Sequence, residues 1–102
     1  MQKLDNKNRL TIPKFYYDTS DCDNSKDVRL FQLGNAMFIG NYSLDTNRFS
    51  CLGKIHIDKK RRFVVPKLAR EVLHLKAGDA IICYVSYGRT TFLKSTLKIH
   101  HK

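Results

Sequence analysis

An eleven-residue segment recurs in this chain at an offset of 53: Leu4-Asp5-Asn6-Lys7-Asn8-Arg9-Leu10-Thr11-Ile12-Pro13-Lys14 aligns with Ile57-Asp58-Lys59-Lys60-Arg61-Arg62-Phe63-Val64-Val65-Pro66-Lys67. The shared pattern is apolar-Asp, three residues, Arg, apolar-x-apolar, then Pro-Lys. Such self-similarity constrains the fold before any local motif does. A half-chain of about 50 residues buries too little surface to be stable alone. The two copies must therefore share a core, within one chain or between chains.

The local chemistry of each copy follows from its residues. Lys54-Ile55-His56-Ile57 alternates polar and apolar, as a half-buried strand does. Asp58 to Arg61 is polar and turn-like, and Arg62-Phe63-Val64-Val65 returns as a strand of β-branched and aromatic residues. Pro66 lacks an N–H and suits the first turn of a helix. Leu68, Val72 and Leu73 then read as the inward face of one short helix, which Ala77-Gly78-Asp79 breaks. Two further strands, Ala80–Ser86 and Thr90–Leu93, join around Tyr87-Gly88-Arg89. The first copy is looser. Its helix spans about Lys14 to Asp18, and a polar stretch follows from Thr19 to Asp27. Its later strands, Val28–Leu33 and Ala36–Ile39, meet at Gly34-Asn35, a strong hairpin signal. The reading divides the chain into a first repeat, residues 1–40, a linker, 41–52, a second repeat, 53–94, and a basic tail, 95–102.

Charge is divided unevenly between the copies. The chain carries a formal +10, which points to a polyanionic partner. Residues 1–50 hold seven basic and six acidic groups, whereas residues 51–102 hold twelve and three. Three widely spaced cysteines, Cys22, Cys51 and Cys83, form no C-x-x-C and read as free thiols in a reducing compartment. With no apolar run near the ~20 residues of a spanning helix, and no signal peptide, a cytoplasmic, nucleoid-associated protein is expected, with no membrane partner.

The second half resembles the AbrB/SpoVT/MazE-type swapped-hairpin domain. The resemblance is carried by Gly53-Lys54-Ile55-His56-Ile57-Asp58, Arg62-Phe63-Val64-Val65-Pro66, Ala69-Arg70-Glu71-Val72-Leu73 and Leu75-Lys76-Ala77-Gly78-Asp79-Ala80-Ile81. The first half shares Asp5, Arg9, Pro13 and the later hairpin, and a tandem arrangement is reminiscent of MraZ-type proteins. The resemblance implies a mainly β fold with short helices: a swapped-hairpin β-barrel of two tandem half-barrel repeats. It also implies double-stranded DNA binding in transcription regulation. Arg9 and Arg62 are then the central DNA-contacting candidates, Arg70 takes the place of a helix arginine, and Asp5 and Asp58 orient the loops. The family usually has glycine before the arginine. Here Asn8 and Arg61 stand there. Arginine adopts positive φ less readily than asparagine, so the second loop could take a different shape.

The candidate DNA-binding set is Arg62, Arg61, Lys60, Lys59, Arg9, Lys7, Arg70 and Lys54. Four adjacent cations from Lys59 to Arg62 at a loop can clamp phosphate, and an arginine can fork onto guanine in a major groove. The plainer alternative is a solvated turn. Asp18, Asp21, Asp23 and Asp27 read as a solvated acidic loop, because no turn glycine or terminal Glu completes a cation site. His56, His74, His100 and His101 lack metal-ligand spacing. No catalytic constellation is legible, so neither an enzyme nor a cofactor is expected. The competing function is an antitoxin-like or other protein-interaction module. Self-association is expected as an intrachain pseudo-dimer, a homodimer or a higher assembly.

Overall fold

The computed structural model describes residues 1–19 and 27–96. Its elements are β1 (Gln2–Lys3), β2 (Arg9–Thr11), α1 (Lys14–Thr19), β3 (Val28–Leu33), β4 (Ala36–Asn41), α2 (Tyr42–Asp45), β5 (Ser50–Lys54), β6 (Arg62–Val64), α3 (Lys67–Val72), β7 (Ala80–Ser86) and β8 (Arg89–Lys94). The protein is mainly β with short helices. The offset of 53 holds at both ends of the paired helices α1 and α3 and of the hairpin strands β4 and β8.

Strands pair across the copies. One six-stranded sheet has the order β1-β7-β8-β4-β3-β5, and β2 pairs with β6 in a separate two-stranded ribbon. Among the described residues these pairings leave the sheet open rather than closed as a barrel. The opening strand of each copy joins the hairpin of the other: β1 on β7, and β5 on β3. The equivalent residues Leu10 and Phe63 face each other in the ribbon, and Phe38 and Thr91 face each other between β4 and β8. Each pair is separated by the repeat offset, so a pseudo-two-fold axis relates the copies through both pairings.

The shared core follows from this exchange. Leu4, Leu10, Ile12, Leu30, Met37, Phe63, Val65, Ile81 and Phe92 are almost wholly buried in one cluster drawn from both halves. Phe63 from the ribbon meets Phe92 of the sheet edge to face, with centroids 5.5 Å apart. Neither half encloses these side chains alone, consistent with the small surface a half-chain can bury.

Turn chemistry sets the hairpins. Each closes in two residues, with Leu33 opposite Ala36 and Ser86 opposite Arg89. Gly34 takes φ 59° in the first, and Tyr87 and Gly88 take 51° and 73° in the second. Positive φ at the first central position of the first turn, and at both central positions of the second, matches the right-handed twist of the flanking strands.

Two local expectations are corrected. The inward face of α3 is Ala69, fully buried, with Leu73 packed on the core, whereas Leu68 and Val72 are exposed. The reason is close approach: a Cβ on Gly53 of β5 would lie 2.9 Å from Pro66 at the helix start, so only a small side chain fits beneath. The helix also ends before Ala77-Gly78-Asp79. His74 takes φ 56°, while its N–H donates to Glu71 O and that of Leu75 to Arg70 O. This is a Schellman ending with histidine in the usual place of glycine.

The stretch 41–52 between the copies is built into the fold. Asn41 caps α2 through its side chain, which accepts from the Ser43 N–H at 3.0 Å. Asp45, 2% exposed, receives both terminal nitrogens of Arg89 at 2.7 Å and the Asn41 N–H at 2.9 Å. Arg89 also lies over the Phe38 ring. The connecting segment is thereby fixed to the second hairpin.

Candidate nucleic-acid interface

The ribbon has an inner and an outer face because strand side chains alternate. Leu10 and Phe63 point into the core, so Arg9, Thr11, Arg62 and Val64 point outward. Arg9 lies opposite Val64 and Thr11 opposite Arg62. The two arginines are diagonal neighbours, about 7–8 Å apart in ordinary sheet geometry.

A carboxylate clamp holds each arginine. In the first copy, Asp5 Oδ1 accepts the N–H groups of Lys7 and Arg9 at 2.9 and 2.8 Å, and its Oδ2 accepts Arg9 Nε at 2.8 Å. In the second, Asp58 Oδ1 accepts those of Lys60 and Arg62 at 2.8 Å each, and its Oδ2 accepts Arg62 Nε at 2.9 Å. One carboxylate therefore folds the loop and aims the guanidinium. Among the described residues only Nε of each guanidinium is engaged, and the planar pair of terminal nitrogens can meet a bidentate acceptor.

Both carboxyls are held below the usual carboxylate range. At Asp5 desolvation pushes upward but is outweighed by the Arg9 N–H, the Arg9 guanidinium and the Lys7 N–H. At Asp58 the Arg62 N–H leads, opposed by desolvation and joined by the Arg62 guanidinium and the Lys60 N–H. The clamps therefore stay ionised through the neutral range.

The second loop takes the same shape as the first, despite lacking both glycine and asparagine before its arginine. Asn8 and Arg61 adopt φ 59° and 62°. The cost to Arg61 is offset by bonds across the copies: its carbonyl accepts the Ile12 N–H at 2.8 Å, and its Nε donates to Ile12 O at 3.1 Å. In the mirror position, Asn8 O accepts the Val65 N–H. Arg61 is thus half-buried as a clasp between the copies.

The remaining candidates divide by location. Lys7, Lys59 and Lys60 are exposed on the two loops flanking the ribbon. Arg70 is half-buried on α3 and donates to Val65 O at 3.3 Å, bracing the chain after β6. Lys54 is exposed on β5 and belongs to the sheet rather than the ribbon. Sequence reasoning missed Thr11 and Val64, although their alternation with Leu10 and Phe63 marks them as the outer face. It also passed over Lys14 and Lys67, exposed at the equivalent starts of α1 and α3. Asp18 pairs with Lys14 and Asp27 with Arg29. Asp21, Cys22, Asp23, His100 and His101 lie outside the described residues.

Among the described residues no helix is long and apolar enough to cross a membrane. No family model matches the chain, and neither a curated protein nor a solved structure matches it.

Proposed function

We propose that this chain is a double-stranded DNA-binding regulator of AbrB-like type that lays the outer face of the β2–β6 ribbon into a major groove. The observation that carries the reading is the pair of clamped arginines, Arg9 and Arg62, on one face of a pseudo-two-fold ribbon. A major groove admits a two-stranded ribbon, and guanine O6 and N7 form the acceptor pair that a guanidinium matches. Val64, more than half exposed, suits a thymine methyl. Lys7, Lys59 and Lys60 flank the ribbon where phosphates would run.

In this reading the copies form a swapped-hairpin pseudo-dimer in one chain. Its support is the exchange of opening strands between hairpins. The pseudo-two-fold calls for an imperfect palindrome, with the half-site under Asp58–Arg62 contacted more strongly. That loop carries Lys59, Lys60 and Arg61 where the first carries Asn6, Lys7 and Asn8.

The test is a salt titration of binding to duplex and single-stranded DNA with wild type, Arg62→Ala and Arg9→Ala. Loss of a base-reading arginine costs about 1–3 kcal/mol. Each lost phosphate contact lowers the log–log salt slope by about 0.9. Duplex binding weakened more by Arg62→Ala than by Arg9→Ala is expected. Absence of duplex binding at low salt, or affinity indifferent to both substitutions, refutes the proposal.

A further inference from the structure

Strand alternation gives the six-stranded sheet a second face. Met37 and Phe92 lie opposite each other and face the shared core, so the next opposed pair, Phe38 and Thr91, points the other way. The β2–β6 ribbon packs on the core side, through Phe63 on Phe92. On the far side Phe38 stacks on Phe31 and meets Phe49 edge to face, with centroids 5.6 and 4.9 Å apart. A cavity of about 350 Å³ lies between this aromatic group and the second hairpin. Phe38 and Phe49 form its apolar wall, and Ser86, Tyr87, Arg48 and Arg89 stand around it. Tyr87 is the unusual member. It takes φ 51° in the hairpin turn, where its counterpart in the first copy is Gly34 at φ 59°. A tyrosine is strained there and a glycine is not. With 99% of its surface exposed, its ring gains no packing that would offset the strain. Backbone strain of this kind gathers at ligand clamps.

We propose that this cavity binds a small planar aromatic acid, its ring against Tyr87 and Phe49 and its carboxylate on the Arg48 guanidinium. Size, charge and shape each narrow the ligand. The volume is at the small end of ligand pockets, which run from about 300 to 1,000 Å³, and so suits one ring or a fused pair. Of the two arginines, Arg89 gives both terminal nitrogens to Asp45, so Arg48, exposed on the opposite rim, is the cation that meets an incoming anion. A guanidinium matches a carboxylate through two parallel hydrogen bonds. Asp45 also lines the cavity and repels a second negative charge, which favours a monoanion. Phe38, Phe49 and Tyr87 present aromatic surface, on which a planar ring gains more than an aliphatic one of equal size. The site lies across the sheet from the ribbon, so it stands independently of DNA binding.

The experiment is calorimetric titration of the full chain, without DNA, with naphthalene-2-carboxylate. Cyclohexanecarboxylate serves as the non-planar acid and 2-naphthylmethanol as the uncharged ring. Naphthalene-2-carboxylate is expected to bind with a Kd of about 1 mM or tighter, and each control about tenfold more weakly. Arg48→Ala should weaken it about tenfold. Lys76→Ala removes the same charge from an exposed site beyond the other end of β7 and should leave the Kd unchanged, which separates the site from the general pull of a +10 chain. Tyr87→Asn relieves the turn, so it should raise the thermal midpoint while weakening the acid about fivefold. A merely structural role for Tyr87 would not weaken binding in a more stable chain. No binding of naphthalene-2-carboxylate up to about 10 mM, ten times the weakest expected Kd, overturns the proposal. So does equal binding of the cyclohexane acid, an equal loss in Lys76→Ala, or a wild-type Kd in both Arg48→Ala and Tyr87→Asn.

Discussion

Asp45→Asn is the most exacting test of how the segment between the copies is fixed. The substitution keeps shape and volume, removes the charge and turns one accepting oxygen into an NH2 that cannot accept from Arg89 or from the Asn41 N–H. Asp45 is 2% exposed, accepts two 2.7 Å bonds from Arg89 and one from the Asn41 backbone, and so makes three contacts in the native state. Removing one partner of a fully buried ion pair costs about 3–5 kcal/mol. Here the Arg89 side chain is 32% exposed and can recover some hydration, so the expected loss is about 2–3 kcal/mol. For a domain of this size that lowers Tm by roughly 10–15 °C. Urea denaturation should show a lower midpoint at unchanged slope, because the surface exposed on unfolding is the same. Burial pushes the Asp45 carboxyl up, but the Arg89 guanidinium, the Asn41 N–H and the nearby charges of Arg89 and Arg48 hold it below the usual range. A carboxyl depressed in the folded state contributes stability above its unfolded value, near pH 4, and that contribution is lost as pH falls through the folded value. The difference between wild type and Asp45→Asn should therefore be full at neutral pH and shrink in acid. In a double-mutant cycle with Arg89→Ala, the paired change should cost clearly less than the sum of the single changes. A destabilisation below about 0.5 kcal/mol, the usual range of a surface change, or one independent of pH, refutes the account.

Two further outcomes follow from the same region. Gly40→Ala would set a Cβ 2.6 Å from Asp45 Oδ2 and 3.0 Å from both Arg89 Nη1 and Phe31 Cδ2; overpacking of about 1–3 kcal/mol is expected, read as a lower thermal midpoint. Tyr87→Asn places the preferred residue in the Tyr87-Gly88 turn, where Tyr87 has φ 51° and is 99% exposed; a gain of about 0.5–1 kcal/mol is expected, and an unchanged or lower Tm counts against turn strain.

Much of the candidate interface was legible because its determinants are local. The Asp-to-Arg spacing within one loop is enough to form the clamp, since the carboxylate reaches backbone N–H groups two and four residues on. The division between Arg61 and Arg62 was not legible. Adjacent in a basic run, one reaches back to Ile12 and the other is held by Asp58. Which cation serves the fold depends on the other copy lying alongside.

The sequence by itself determined the repeat, the two hairpins and the asymmetry of charge, whereas the second copy's opening strand, read at 54–57 behind a linker of 41–52, lies at Ser50–Lys54. The first three arise from alternation, turn residues and composition, all readable within a few residues. Only the tertiary structure decided that opening strands cross to the opposite hairpin, that Ala69 rather than Leu68 faces inward, and that Asp45 meets Arg89 across 44 residues. Those outcomes depend on which surfaces come together, and each is fixed by close approach between segments far apart in the chain. The repeated Asp-to-Pro-Lys motif required two copies to share a core; tertiary packing placed their two arginines on one face of one ribbon.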